Sequence, residues 1–219
     1  MGVVMVRLRA LALLLVVLAA ASACGSDPTT AGEHEAAGLE WRGTVLDAPQ
    51  PKPDITLTDT DGRPYDLRAR TEGKLTLLFF GYTHCPDACP LQLAGIAASL
   101  ERSSAAVKEA TEVVFVTTDP ARDDPATLRR YLDGFNRRFV GLTGTPEQLV
   151  AAQEAAGVAI AGAEEPDADG DYVVGHATQI LAFTPDDLAH VVYPAGIRQG
   201  DWAHDLPQLL SVGAWRAAT

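Results

Sequence analysis

Residues 74–82 read KLTLLFFGY, a run in which nearly every side chain is apolar. A strand with one wet face alternates polar and apolar residues; one that is apolar throughout is covered on both faces, as in a largely parallel sheet flanked by helices. Val113 to Thr118 gives a second buried strand. Between the two, Leu93, Ile96, Ala97 and Leu100 recur at i, i+3, i+4 and i+7, the spacing of a helix that packs one face on the sheet. Further on, Pro125 to Phe135 reads as a helix and Val140 to Leu142 as a short strand. Thr145-Pro146-Glu147-Gln148 reads as a helix start, with Pro at the first helical position and a Thr-x-x-Gln capping box. The result is an α/β chain in βαβ alternation. Two hairpins bracket it. Ile55, Leu57, Tyr65 and Leu67 alternate around Asp61-Gly62 and are expected to open the domain, which begins near Trp41. Gln179 to Phe183 and Leu188 to Tyr193 flank Pro185-Asp186-Asp187, and a last helix is expected to end near Leu210. An acidic, turn-rich loop, GAEEPDADGD, occupies 162–171, and no internal repeat is present.

The N-terminus determines where such a domain works. Arg7 and Arg9 precede an apolar run from Ala10 to Ala21 and small residues up to Cys24, the pattern of a secretory signal. The run is short of the roughly 20 apolar residues of a membrane-spanning helix. Ala21-Ser22-Ala23-Cys24-Gly25 resembles a bacterial lipoprotein processing box, which implies a signal peptide over 1–23 and lipidation of Cys24. Residues 24–40 are then a flexible lipidated tether, small and polar, and 41–219 one domain with a full core. The implied location is extracytoplasmic, at the outer face of the cell membrane, held through the lipid anchor.

The 219 residues carry 17 basic and 29 acidic side chains, a net charge of −12, and loss of the leader with its two arginines makes it more negative by two. That balance excludes nucleic acid as a partner and favours cationic partners or metal ions.

Only three cysteines exist. With Cys24 lipidated, Cys85 and Cys89 are the only pair left in a compartment where disulfides persist. A spacing of four puts both sulfurs on one face of a helical turn, within reach of one metal ion or of each other. Pro86 and Pro90 suit the first turn of a helix, whose N-terminus favours thiolate over thiol, so a redox-active pair is expected. A disulfide closing so short a loop would add little to an adequate core. A cysteine pair directly after the first buried strand narrows the fold to a thioredoxin-like one, with an N-terminal hairpin extension and a late hairpin insertion.

Three segments in this order, FGYTHCPDACP (80–90), VTTDPARDDP (116–125) and GHATQILAFTPDD (175–187), resemble the Sco/SenC family of copper chaperones across the whole domain. The resemblance implies a membrane-tethered, thioredoxin-like protein that binds copper through Cys85, Cys89 and His176. It also implies a partner, the copper-receiving subunit of cytochrome c oxidase, whose binuclear centre the family serves. Two positions depart from the family pattern: Gly175 stands where an Asp often precedes the His, and Asp124 where a Thr is common.

The chemistry agrees with that implication. Two thiolates and an imidazole form a soft, low-coordinate set suited to Cu(I), and the imidazole also tolerates Cu(II). Zinc prefers a fourth ligand. Three ligands leave a position open for ligand exchange, and oxidation of the thiols to a disulfide would eject the ion.

Among the remaining candidates, His84 adjoins Cys85 but is expected to point away from the site. His190 is read as structural on its hairpin strand, and His34 and His204 as solvated. Asp119 is either a neighbour of the site or a turn residue before Pro120. Three functions are compatible with the cysteine pair. The leading one is a copper metallochaperone for oxidase assembly; the alternative is a thiol-disulfide oxidoreductase acting on the cysteines of the oxidase copper subunit. A peroxidase has the least support, because no separate resolving cysteine exists. His176 separates the first two, since a reductase does not need it.

Overall fold

The structure is a computed structural model that describes residues 40–168 and 170–211. The expected signal peptide, the lipidation site Cys24, all but the last residue of the tether, and His34 lie outside the described residues.

The all-apolar run forms β4 (Leu75–Gly81), buried at every position. It pairs in parallel with β5 (Thr111–Thr117) from Leu75↔Thr111 to Gly81↔Thr117, and β5 pairs in parallel with β6 (Val140–Thr143). On its other side β4 runs antiparallel to β9 (Ile180–Phe183), which turns into β10 (Leu188–Tyr193). The late hairpin is thus woven into the main sheet, whose order is β1 (Thr44–Pro51), β10, β9, β4, β5, β6, β2 (Thr56–Asp59), β3 (Pro64–Asp66).

Both faces are covered, as an apolar central strand requires. Leu75, Leu77 and Phe79 face one cluster with Phe115, Ile180 and Tyr193. Against this cluster pack Leu93 and Ile96 of α2 (Ala88–Arg102), Leu128 and Leu132 of α4 (Pro125–Asp133), and Trp202 and Leu206 of α6 (Gln199–Leu209). Leu78 and Phe80 face the opposite cluster with Val114, Val116 and Phe183, closed by Leu149 and Ala152 of α5 (Pro146–Ala155). The Thr145–Gln148 capping box forms as expected. Short helices α1 (Leu67–Arg70) and α3 (Ala105–Ala110) complete the connections.

Two features differ from the sequence reading. The early hairpin, β2 (Thr56–Asp59) with β3 (Pro64–Asp66), forms around Gly62 at φ +77°, yet it does not open the sheet. β1 (Thr44–Pro51) precedes it and lies at the far edge, on β10. Lys52, next after β1, is buried and reaches Asp187 at 2.6 Å and Thr71 Oγ1 at 3.1 Å, fastening that edge. The second difference is β7 (Gly162–Ala163) paired with β8 (Val174–Gly175), a small separate sheet that carries the acidic loop outside the main one.

Candidate metal centre

Parallel strands gather side chains at their C-terminal ends, and here β4 ends at Gly81 and β5 at Thr117. Thr118 N–H donates to Gly81 O at 2.7 Å, joining the two exits. The chain after β4 turns back through Cys85 N–H to Tyr82 O at 3.2 Å and enters α2 at Ala88. Cys89 is therefore the second residue of α2, whereas Cys85 lies in the preceding turn and not on a shared helical face. The two still meet, because Cys89 N–H points at Cys85 Sγ at 3.5 Å. Gly81 makes room for this: a Cβ there would stand 2.6 Å from Cys89 Sγ and 2.8 Å from the Phe115 ring.

Asp123 holds the cysteine turn in place. It is fully buried and accepts from Thr83 N–H at 2.9 Å, Thr83 Oγ1 at 2.5 Å and Thr117 Oγ1 at 2.7 Å, so one carboxylate ties the turn to the exit of β5. His84 turns away as expected; its Nδ1 lies 3.1 Å from Thr83 Oγ1 and 3.9 Å from Asp123.

His176 follows β8 and swings over the cysteines, its Nε2 3.5 Å from Cys89 Sγ. Its Nδ1 lies 2.9 Å from Ala177 O, so the protonated Nδ1 is held by a backbone carbonyl and the Nε2 lone pair faces the sulfurs. The Tyr82 ring meets the imidazole edge-on at 5.5 Å. This backbone contact orients the ring without the aspartate that Gly175 replaces. Asp124, the other departure, caps α4 by accepting from Thr127 N–H, a role open to Thr as well.

The ligand atoms of Cys85, Cys89 and His176 lie within 4.8 Å of one another, and no other group of this kind exists among the described residues. Both cysteines are free thiols. The expected thiolate character does not extend to Cys89. Burial pushes its thiol well above the ordinary value and outweighs the hydrogen bond from the Tyr82 backbone, so the second turn position of a helix does not offset desolvation here.

Asp119 is both neighbour and turn residue. Its backbone closes the turn to Arg122 and Asp123, and its buried carboxylate accepts from Arg122 Nε at 2.5 Å and from the Tyr172 hydroxyl at 2.8 Å. His190 pairs with Asp186 at 3.1 Å. His204 is more engaged than a solvated histidine, with Nδ1 2.6 Å from buried Asp205. Gly81, Tyr82, Asp123 and Tyr172 also shape the site, though no spacing or period in the sequence marks them for it. The signal for Asp123 was its place in DPARDD, a crowd of carboxylates around one arginine next to a buried strand.

Fold and site together define a class: a thioredoxin-like sheet with two thiols and one imidazole gathered at the exit of its central parallel strands. Comparison with known proteins gives the family. Residues 45–211 match SCO1/SenC, and the chain belongs to that family. It is 34% identical over 158 residues to a putative copper-binding protein of Stutzerimonas stutzeri, covering 72% of this chain and 76% of that one. It is 38% identical over 136 residues to the mitochondrial SCO2 homolog of Mus musculus, covering 62% of this chain but only 52% of the mouse protein. Among solved structures, apo Sco1 of Thermus thermophilus superposes with a TM-score of 0.70 at 31% identity, over 80% of this chain and 99% of that one. Copper-bound ScoI of Bradyrhizobium japonicum superposes with a TM-score of 0.63 at 32% identity, over 74% and 98%.

Proposed function

We propose that this protein is a copper metallochaperone for assembly of the binuclear copper centre of cytochrome c oxidase. The observation that carries the reading is the convergence of Cys85, Cys89 and His176 within 4.8 Å. Two sulfurs and one imidazole nitrogen suit Cu(I), and a half-exposed His176 leaves a side of the ion open for the incoming ligand of a recipient. Copper is here a cargo, taken up and passed on by ligand exchange. On this reading a leader over 1–23, a lipidated Cys24 and the tether hold the domain at the outer face of the cell membrane, and confinement there raises its effective concentration at the oxidase without a tight interface. The acidic surface favours a cationic patch on the recipient subunit.

Copper titration of the reduced protein tests this. One ion is bound per chain, and Cys85→Ser or Cys89→Ser removes tight Cu(I) binding, because an alcohol is a poor ligand for Cu(I). Full stoichiometry in either variant rules the site out.

The asymmetry of the thiols supports a second reading, a thiol-disulfide oxidoreductase. Cys85 lies nearer the surface at 8% exposure, and Cys89 is fully buried with its thiol pushed up. Cys85 thiolate would attack a disulfide of the recipient and Cys89 would then displace the mixed disulfide. The recipient gains two electrons and two protons, and the Cys85–Cys89 disulfide forms. Deletion of the gene lowers oxidase activity at limiting copper. Complementation by His176→Ala, but not by the cysteine variants, would favour the reductase.

A further inference from the structure

One of the three candidate ligands stands on an arm that the main sheet does not hold. His176 follows directly on β8, and β7–β8 form their own two-stranded sheet. Among the described residues of 162–175 every one is exposed except Tyr172 and Val174, so these two side chains attach the arm to the body. Val174 is buried and belongs to the same core cluster as Tyr82. Tyr172 makes the stronger attachment. Its hydroxyl donates to Asp119 Oδ1 at 2.8 Å, and its ring lies against the Arg122 guanidinium, 3.5 Å from Cζ to the ring centroid. Arg122 in turn bonds Asp119 at 2.5 Å and lies 5.7 Å from the ring of Tyr82, the residue that packs on His176. Asp119 is 4% exposed and its N–H donates to Thr117 Oγ1 at 3.0 Å at the exit of β5, so this anchor is rigid.

A buried carboxylate, a stacked guanidinium and a tyrosine four residues before His176 thus join the arm to the strand exit that also positions the cysteines. Cation–π stacking plus a charge-assisted hydrogen bond is a strong attachment for an otherwise solvated hairpin. We infer that Asp119, Arg122 and Tyr172 form a latch that positions His176 over the cysteines, and so set Cu(II) affinity separately from thiol-based Cu(I) binding. This rests on the copper reading above. Two thiolates can hold Cu(I) alone in linear geometry, whereas Cu(II) draws on the imidazole, so loosening the arm affects the two oxidation states unequally.

Tyr172→Phe removes the hydroxyl bond and keeps the ring. Its Cu(II) affinity is expected to fall about three- to tenfold, the factor that one lost hydrogen bond is worth. The thiolate-to-copper charge-transfer band weakens, while Cu(I) affinity stays within about twofold of the parent, since both thiols are untouched. In a His176→Ala background the same change has no further effect on Cu(II), which a general loss of folding would not reproduce. In the copper-free protein, the His176 imidazole resonances shift or broaden in Tyr172→Phe and in Asp119→Asn. An unchanged band and Cu(II) affinity in Tyr172→Phe, an equal loss in the His176→Ala background, or unchanged imidazole resonances in both variants would each overturn the latch. If the parent protein bound no copper at all, the copper reading would fall, and the imidazole resonances would still decide the latch.

Discussion

The cysteine turn and the histidine arm supply the same candidate site from opposite kinds of structure. Cys85 and Cys89 sit where the most buried strand meets its helix, with Asp123 bonded to Thr83 and Thr117 beneath them and Gly81 leaving space for a sulfur. His176 arrives from a solvated hairpin fastened by two side chains. The difference suits a protein that retains an ion on a fixed base and releases it by moving one ligand. It also predicts that changes near the cysteines are felt in folding and in copper binding together, while changes on the arm are felt mainly in Cu(II) binding.

The largest effect is expected at Asp123. Asp123→Ala takes the acceptor from the buried Thr117 hydroxyl and from the part-buried Thr83 hydroxyl and N–H and should destabilise the domain by about 3 kcal/mol, with weaker Cu(I) binding as the turn loosens. Denaturant unfolding checks it; a loss below about 1 kcal/mol would mean that the turn is not held in this way. Next comes Gly81→Ala, whose Cβ meets Cys89 Sγ at 2.6 Å and the Phe115 ring at 2.8 Å. Overpacking of this kind costs about 2 kcal/mol. It also displaces Cys89, so affinity for both copper oxidation states should drop while secondary structure by circular dichroism stays. Unaltered copper binding in a folded Gly81→Ala protein would show that the sulfur can retreat without loss.

A pH effect comes next in size. Cys89 has its thiol raised above the ordinary 9.0 by burial. The folded state keeps this proton where the unfolded chain loses it, so the contribution to stability is complete below pH 9.0 and is lost as pH rises toward the folded value. Each pH unit in that window costs the copper-free, reduced protein up to about 1.4 kcal/mol. Cys89→Ala should flatten the slope; an unchanged slope would place the titration elsewhere. Smaller again is His176→Ala, which removes a half-exposed ring and should cost under about 1 kcal/mol. The same change abolishes the charge-transfer band of the Cu(II) form. A stability loss as large as that of Asp123→Ala would erase the distinction between base and arm.

The two regions also differ in how far the sequence disclosed them. β4 was legible because burial on both faces leaves no room for polar residues, and Leu93, Ile96 and Leu100 of α2 announced themselves by period. Cys85 and Cys89 were legible from their spacing and their place after the buried strand, whereas His176 was legible only through motif resemblance; the arm between Gly162 and Gly175 has no apolar rhythm and its structure depends on partners far along the chain. β1 was missed for a similar reason. It is mostly exposed, contains Pro49 and Pro51, and owes its place at the edge to pairing with β10 and to the ion pair of buried Lys52 with half-buried Asp187, which no local pattern encodes. The thiolate expectation for Cys89 fails because position in a helix can be read from spacing, whereas desolvation depends on the tertiary burial of the sulfur beside Gly81 and His176.

Gly175→Asp gives the smallest expected effect and the sharpest test of the arm. It restores the residue that often precedes the histidine in the Sco/SenC pattern. A Cβ at this position meets only Gly162 O, at 3.7 Å, and the position is exposed, so the substitution should change stability by less than about 0.5 kcal/mol. The question is whether the carboxylate would orient His176 better than the present arrangement does. Nδ1 already has a partner in Ala177 O at 2.9 Å, and a hydrogen-bonded imidazole gains little from a second acceptor at the same nitrogen. Cu(II) affinity should therefore stay within about twofold of the parent, since neither the ring orientation nor the ligand set changes. A tenfold gain would show that the backbone carbonyl alone leaves the ring loosely held, and that the latch at Tyr172 fixes the arm without fixing the imidazole.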